Sequence, residues 1–101
     1  MTRREHQKLL VDQLKERTPC TDCGEHFPAE ALDFDHVRGV KLGNISELLH
    51  LPGAELAAEI GKTELVCSAC HRIRTRDRRL DERVEAALDA DVGEELLLGD
   101  D

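Results

Sequence analysis

Aromatic residues are almost missing from this chain: its 101 residues include two phenylalanines and neither tyrosine nor tryptophan. The side chains that bury most area are therefore unavailable, and a chain this short gains little from burial in any case. A hydrophobic core gives only modest stabilisation here, and another source of stability is expected. Long apolar runs are missing as well. Runs such as Leu9–Val11 and Leu96–Leu98 are too short for a signal-peptide core or a membrane span, so a cytoplasmic protein with no membrane partner is expected. Nor is there an excess of positive charge, since 14 Lys and Arg stand against 22 Asp and Glu for a net charge of −8.

That balance argues against a nucleic-acid partner until its distribution is considered. Residues 81–101 hold nine acids and a single base, Arg83, so this end carries the whole net charge and residues 1–80 balance. Arg72, Arg74, Arg76, Arg78 and Arg79 lie within eight residues, opposed only by Asp77. One face can therefore be strongly positive.

The chain does have four cysteines, in two Cys-x-x-Cys pairs, Cys20/Cys23 and Cys67/Cys70, separated by the 43 residues 24–66. In a reducing compartment such pairs hold a metal more often than they form disulfides. Four thiolates complete a tetrahedron and leave no position for water, so the expected ion is a structural zinc. Gly24 tolerates the tight turn after the first pair.

Between and around these pairs the periodicity changes. A helix is expected from Arg3 to Arg17, ended by Pro19, with Leu10, Val11 and Leu14 at helical spacing. Its basic residues read as a solvated face. Over Ala31–Val37, Leu32 and Phe34 alternate with Asp33 and Asp35, which predicts a short strand. Residues 38–52 read as a loop with a helical turn over Ser46–His50, and a second helix is expected over Gly53–Ile60, stopped at Gly61. Glu64–Val66 predicts a second strand running into Cys67. A long polar helix follows to about Leu88, with Leu80, Val84, Ala87 and Leu88 at helical spacing. Three segments result: an N-terminal helix over 1–19, a zinc-stabilised domain over 20–88, and an acidic tail over 89–101.

The residues that carry chemistry cluster at the ends of these elements. Asp35-His36 ends the first strand, His71 directly follows the last cysteine, and the zinc would tie the two places together. A carboxylate and an imidazole suit a divalent ion, while a second imidazole can deprotonate water, as phosphodiester hydrolysis at one metal requires. His6, His26 and His50 read as surface residues.

Leu32-Asp33-Phe34-Asp35-His36, followed by Glu64-Leu65-Val66-Cys67-Ser68-Ala69-Cys70-His71, resembles the HNH endonuclease family, over about Cys20 to Arg79. The resemblance implies a small α+β zinc-stabilised domain with a ββα-metal (HNH, treble-clef-like) core, an N-terminal helix and additional short helices. It implies a metal-dependent DNA endonuclease. His36 would be the general base, and Asp35 with His71 would bind the divalent ion, usually magnesium or manganese. The products would be a 5′-phosphate and a 3′-hydroxyl. The family's middle asparagine commonly lies five residues before the third cysteine; here that position is Lys62, and Asn44 is the candidate for the role.

Arg72, Arg76 and Arg79 fall on one helical face and form a candidate phosphate rail, with Arg74 beside them. Thr75, one turn beyond His71, is a candidate for positioning the ion or phosphate, or else a surface residue. The competing class is a non-catalytic zinc-ribbon-like module that docks on nucleic acid or protein and has no use for Asp35, His36 and His71. The acidic tail is a candidate shield for the basic face, a docking surface for a larger DNA-processing protein, or a solubilising extension.

Overall fold

Thr2 starts the first helix, its hydroxyl accepting the Glu5 N–H at 3.2 Å, and α1 runs over Arg3–Arg17. Pro19 cannot continue it, and the chain leaves through Thr18, whose N–H still reaches Lys15 O. In the computed structural model residues 1–89 are described. They divide into two compact units, one over Met1–His71 and a second beginning at Arg72. Beyond Asp89, the expected acidic tail lies outside the described residues.

The first unit is a small α+β assembly. After α1 come the strand β1 (Leu32–His36), the helix α2 (Gly53–Ile60), the strand β2 (Thr63–Cys67) and the start of the helix α3 (Ser68–Asp89), with 3-10 turns at Ala29–Ala31 and Ile45–Glu47. The turn expected over Ser46–His50 thus begins one residue earlier, where the Glu47 carboxylate accepts the Asn44 N–H. Gly61 ends α2 in a right-handed conformation (φ −61°, ψ −17°).

β1 and β2 form one antiparallel sheet in which Leu32 faces Cys67, Phe34 faces Leu65 and His36 faces Thr63. This register carries Asp35-His36 and the Cys67 knuckle to opposite ends of the sheet. Two small cores hold the unit together. One gathers Cys20, Leu32, Leu65, Val66 and Cys67; the other gathers Val11, Ile45, Leu49 and Leu56, and Phe34 packs against both.

α1 meets the second core through Val11 and Gln7, while Leu10 and Leu14 stay largely exposed. The Gln7 amide donates to Leu49 O and Leu51 O, so a buried polar side chain fastens the helix to the loop. The second unit, described by itself, is α3 from Arg72 onward. Its Leu80, Val84 and Leu88 are exposed. No described helix is long and apolar enough to cross a membrane.

Candidate functional site

The four cysteines converge. Sγ atoms of Cys20, Cys23, Cys67 and Cys70 all lie within 4.8 Å of one another, and none is in a disulfide. Local backbone explains the convergence. Gly24 takes φ +77°, its N–H closing the knuckle onto Cys20 O at 2.9 Å, and Thr21 N–H reaches across to Leu65 O at 2.8 Å. At the other pair, β2 ends at Cys67 and α3 opens at Ser68, so Cys70 falls in the first helical turn.

The sulfurs are also hydrogen-bonded as thiolates would be. Cys67 N–H points at Cys20 Sγ (3.3 Å) and Cys70 N–H at Cys67 Sγ (3.5 Å). Burial pushes the Cys20 thiol up, but N–H groups of Cys23, Cys67 and Asp22 outweigh it and lower its pKa to about 6. Contact with the Cys67 sulfur, then burial, pushes Cys70 up to about 12. Without a cation the Cys20 sulfur ionises easily, and Cys23 and Cys70 then resist. A divalent ion removes that conflict, so the donor set fits a metal such as zinc.

A second cluster lies on the other face of the sheet's first strand. Side chains alternate along β1, so Asp33 and Asp35 share a face, and both meet His71. His71 Nδ1 is 3.1 Å from Asp33 Oδ2, and His71 Nε2 is 3.9 Å from Asp35 Oδ1. Asp35 is 5% exposed. A cleft of about 320 Å³ opens here, lined by Lys15, Asp33, Asn44, Ser46 and His71 among others. Asn44 therefore borders the same space as His71, from the loop side.

His36, the last residue of β1, has a different partner. Its Nε2 is 2.9 Å from Oε2 of Glu59 on α2, and its side chain is 12% exposed. The structure thus brings Asp35 and His71 together and gives His36 a separate partner. Lys62 pins the loop that leaves β1, its ammonium donating to Val40 O at 2.7 Å and its carbonyl accepting from Val37 and Arg38. Gly39 sits in this loop at φ +70° with the Lys62 stem against it.

Arg72, Arg76 and Arg79 are exposed on α3, with Arg76 paired to Asp77 at 3.2 Å, and Arg74 and Thr75 are half-buried. His6, His26 and His50 are exposed.

Asp33 and Glu59, which hold His71 and His36, are absent from the candidates that the sequence suggests. Asp33 is signalled by its place two residues before Asp35, which puts both on one face. Glu59 is signalled by being the one charge among Leu56, Ala57, Ala58 and Ile60. No protein-family model matches the chain, and no curated protein or solved structure is similar enough to count as a match.

Proposed function

We propose that this chain is a metal-dependent DNA endonuclease of the HNH type, built on a ββα-metal core whose four thiolates hold a structural zinc. One observation carries the reading: Asp35 Oδ1 and His71 Nε2, from a strand and a helix far apart in sequence, lie 3.9 Å apart. Two ligand bonds of about 2.1 Å each can span that gap, as magnesium or manganese would require. The order β1, β2, α3 and the Cys67/Cys70 pair where the last two meet support the same reading. A thiolate centre is also compatible with a reducing cytoplasm.

Asp35 and His71 would hold the divalent ion. Asp33, bonded to the other nitrogen of His71, keeps that ring turned toward Asp35, as a carboxylate behind a metal-binding histidine commonly does. A bound divalent ion supplies charge neutralisation at the phosphate and the departing oxygen. His36, next to Asp35 in the chain and held through Nε2 by Glu59, would take the proton from the attacking water. Asn44 and Lys15 border the cleft where a phosphate would lie. The exposed arginines of α3, taken by themselves, would meet phosphates without reading sequence.

The test is plasmid DNA incubated with magnesium, manganese or nickel against a chelator control. The expected result is cleavage that depends on the added ion and falls roughly 10²–10⁴-fold in His36→Ala, with zinc content unchanged. Wild-type protein that binds DNA but leaves it intact with every ion would favour the zinc-ribbon-like docking module instead.

A further inference from the structure

Glu59 has no part in the chemistry just described, yet it is 1% exposed, within a helix of eight residues. A buried carboxylate is costly unless its oxygens are engaged. Here Oε1 accepts from Lys62 Nζ at 2.8 Å, and Oε2 accepts from the Leu42 N–H at 3.0 Å. Those two contacts tie the loop after β1 to the corner between α2 and β2, and they would suffice for a purely structural role. The third contact, Oε2 to His36 Nε2 at 2.9 Å, fixes an imidazole.

We infer that Glu59 is the positioning residue for His36: it holds the ring with its proton on Nε2 and leaves the Nδ1 lone pair as the basic atom of the site. The use of that lone pair rests on the nuclease reading, whereas the orientation of the ring does not. A neutral imidazole has one N–H and one lone pair, and an ionised carboxylate can only accept. Lys62, then the Leu42 N–H and His36, outweigh burial and hold the Glu59 carboxyl at a pKa of about 2, so it is ionised near neutrality.

Nε2 must therefore be the donor, and the lone pair is left on Nδ1. Nδ1 is also reachable. His36 makes no other hydrogen bond among the described residues, and no fully buried side-chain nitrogen or oxygen there lacks a partner, so Nδ1 is not sealed from water. A neutral ring pinned in this way always has its lone pair on Nδ1. A ring free to choose its tautomer would present an N–H in a share of the molecules and could not accept a proton there.

The experiment uses full-length, zinc-loaded protein with ¹⁵N-labelled histidine. Long-range ¹H–¹⁵N spectra are recorded at about pH 8, where an ordinary histidine, with a pKa of about 6.5, is neutral. The His36 signals are identified by their loss in His36→Ala. The expected wild-type pattern is a neutral ring protonated at Nε2. In Glu59→Gln the amide keeps the shape but offers N–H donors, so both tautomers should appear. Plasmid cleavage by that variant should then drop about tenfold or more in kcat, with little change in KM.

A wild-type ring protonated at Nδ1 would overturn the inference, as would a Glu59→Gln protein that keeps both the tautomer and the kcat. Should Glu59→Gln fail to fold, the wild-type spectrum decides alone. A ring protonated at Nε2 in a protein that cuts no DNA would sink the nuclease reading and leave the Glu59–His36 pairing standing.

Discussion

Asp35 is the residue at which the strand pattern and the chemistry part company. Alternation along Leu32–His36 turns Leu32 and Phe34 to the cores, which leaves Asp35 for solvent, yet Asp35 is as buried as Leu56 and Leu65 of the cores. A two-stranded sheet has room for cover on both faces, and the start of α3 supplies it through His71. Glu59 is the second buried carboxylate, and its environment leads to a pH prediction. Its pKa lies at about 2 against an ordinary 4.5, with Lys62 as the leading cause. A group with a depressed folded-state pKa stabilises the fold fully above its unfolded pKa. That contribution disappears as pH falls from about 4.5 toward about 2. Acid also protonates the thiolates, so the measurement is a difference. Urea midpoints of wild type and Glu59→Gln should converge through that window, because only wild type has this carboxylate to lose. A gap between them that stays constant with pH would mean that Glu59 is not held ionised.

At the scale of elements, the boundaries that a single residue enforces are legible in the sequence. Pro19 ends α1 and Gly61 ends α2, as their places in the sequence suggest, whereas the Thr2 cap and the helix start at Ser68 emerge only in the structure. The cysteine spacing likewise announces a cluster, because two Cys-x-x-Cys turns each point a pair of sulfurs at one spot. What the sequence hides is partnership between elements. Leu10 and Leu14 have the spacing of a core stripe, but α1 docks by Val11 and by the Gln7 amide, whose acceptors lie more than forty residues away. Glu59 is anomalous in an apolar helix, and its partners His36, Leu42 and Lys62 come from three other segments, which no local pattern reveals. The first knuckle offers a test of local geometry alone. Gly24 adopts φ +77°, and a Cβ built there meets nothing within 4 Å. Gly24→Ala should therefore cost about 1 kcal/mol through backbone strain and nothing through a clash. Zinc-loaded protein should show this as a lowered urea midpoint with unchanged zinc stoichiometry. An unchanged midpoint would mean the turn relaxes to another conformation.

For the whole molecule, charge and metal act on different quantities. Residues 89–101 contain six acids and no base, so deleting them takes the net charge from −8 to −2. If the tail screens the arginines of α3, the truncated protein should bind DNA more tightly, and the difference should shrink as salt rises. Equal affinities at low salt would remove the screening idea. A metal on the four thiolates would act on folding instead. Of the five residues in the core that contains Val66, two are the cysteines Cys20 and Cys67, so the ligands are themselves core. The other core is four aliphatic residues joined to the first through Phe34. With so little apolar burial, an ion held there would carry a large share of the stability. Structural zinc contributes roughly 10–16 kcal/mol of apparent binding energy in small domains, against a total stability of about 5–15 kcal/mol for typical proteins. Stripping the ion should therefore unfold the first unit outright, with loss of strand and helix signal by circular dichroism and recovery on adding zinc. Protein that keeps its spectrum and its urea midpoint after the metal is gone would mean that Cys20, Cys23, Cys67 and Cys70 meet without holding the fold, and the anchor for Asp35 and His71 would have to be sought elsewhere.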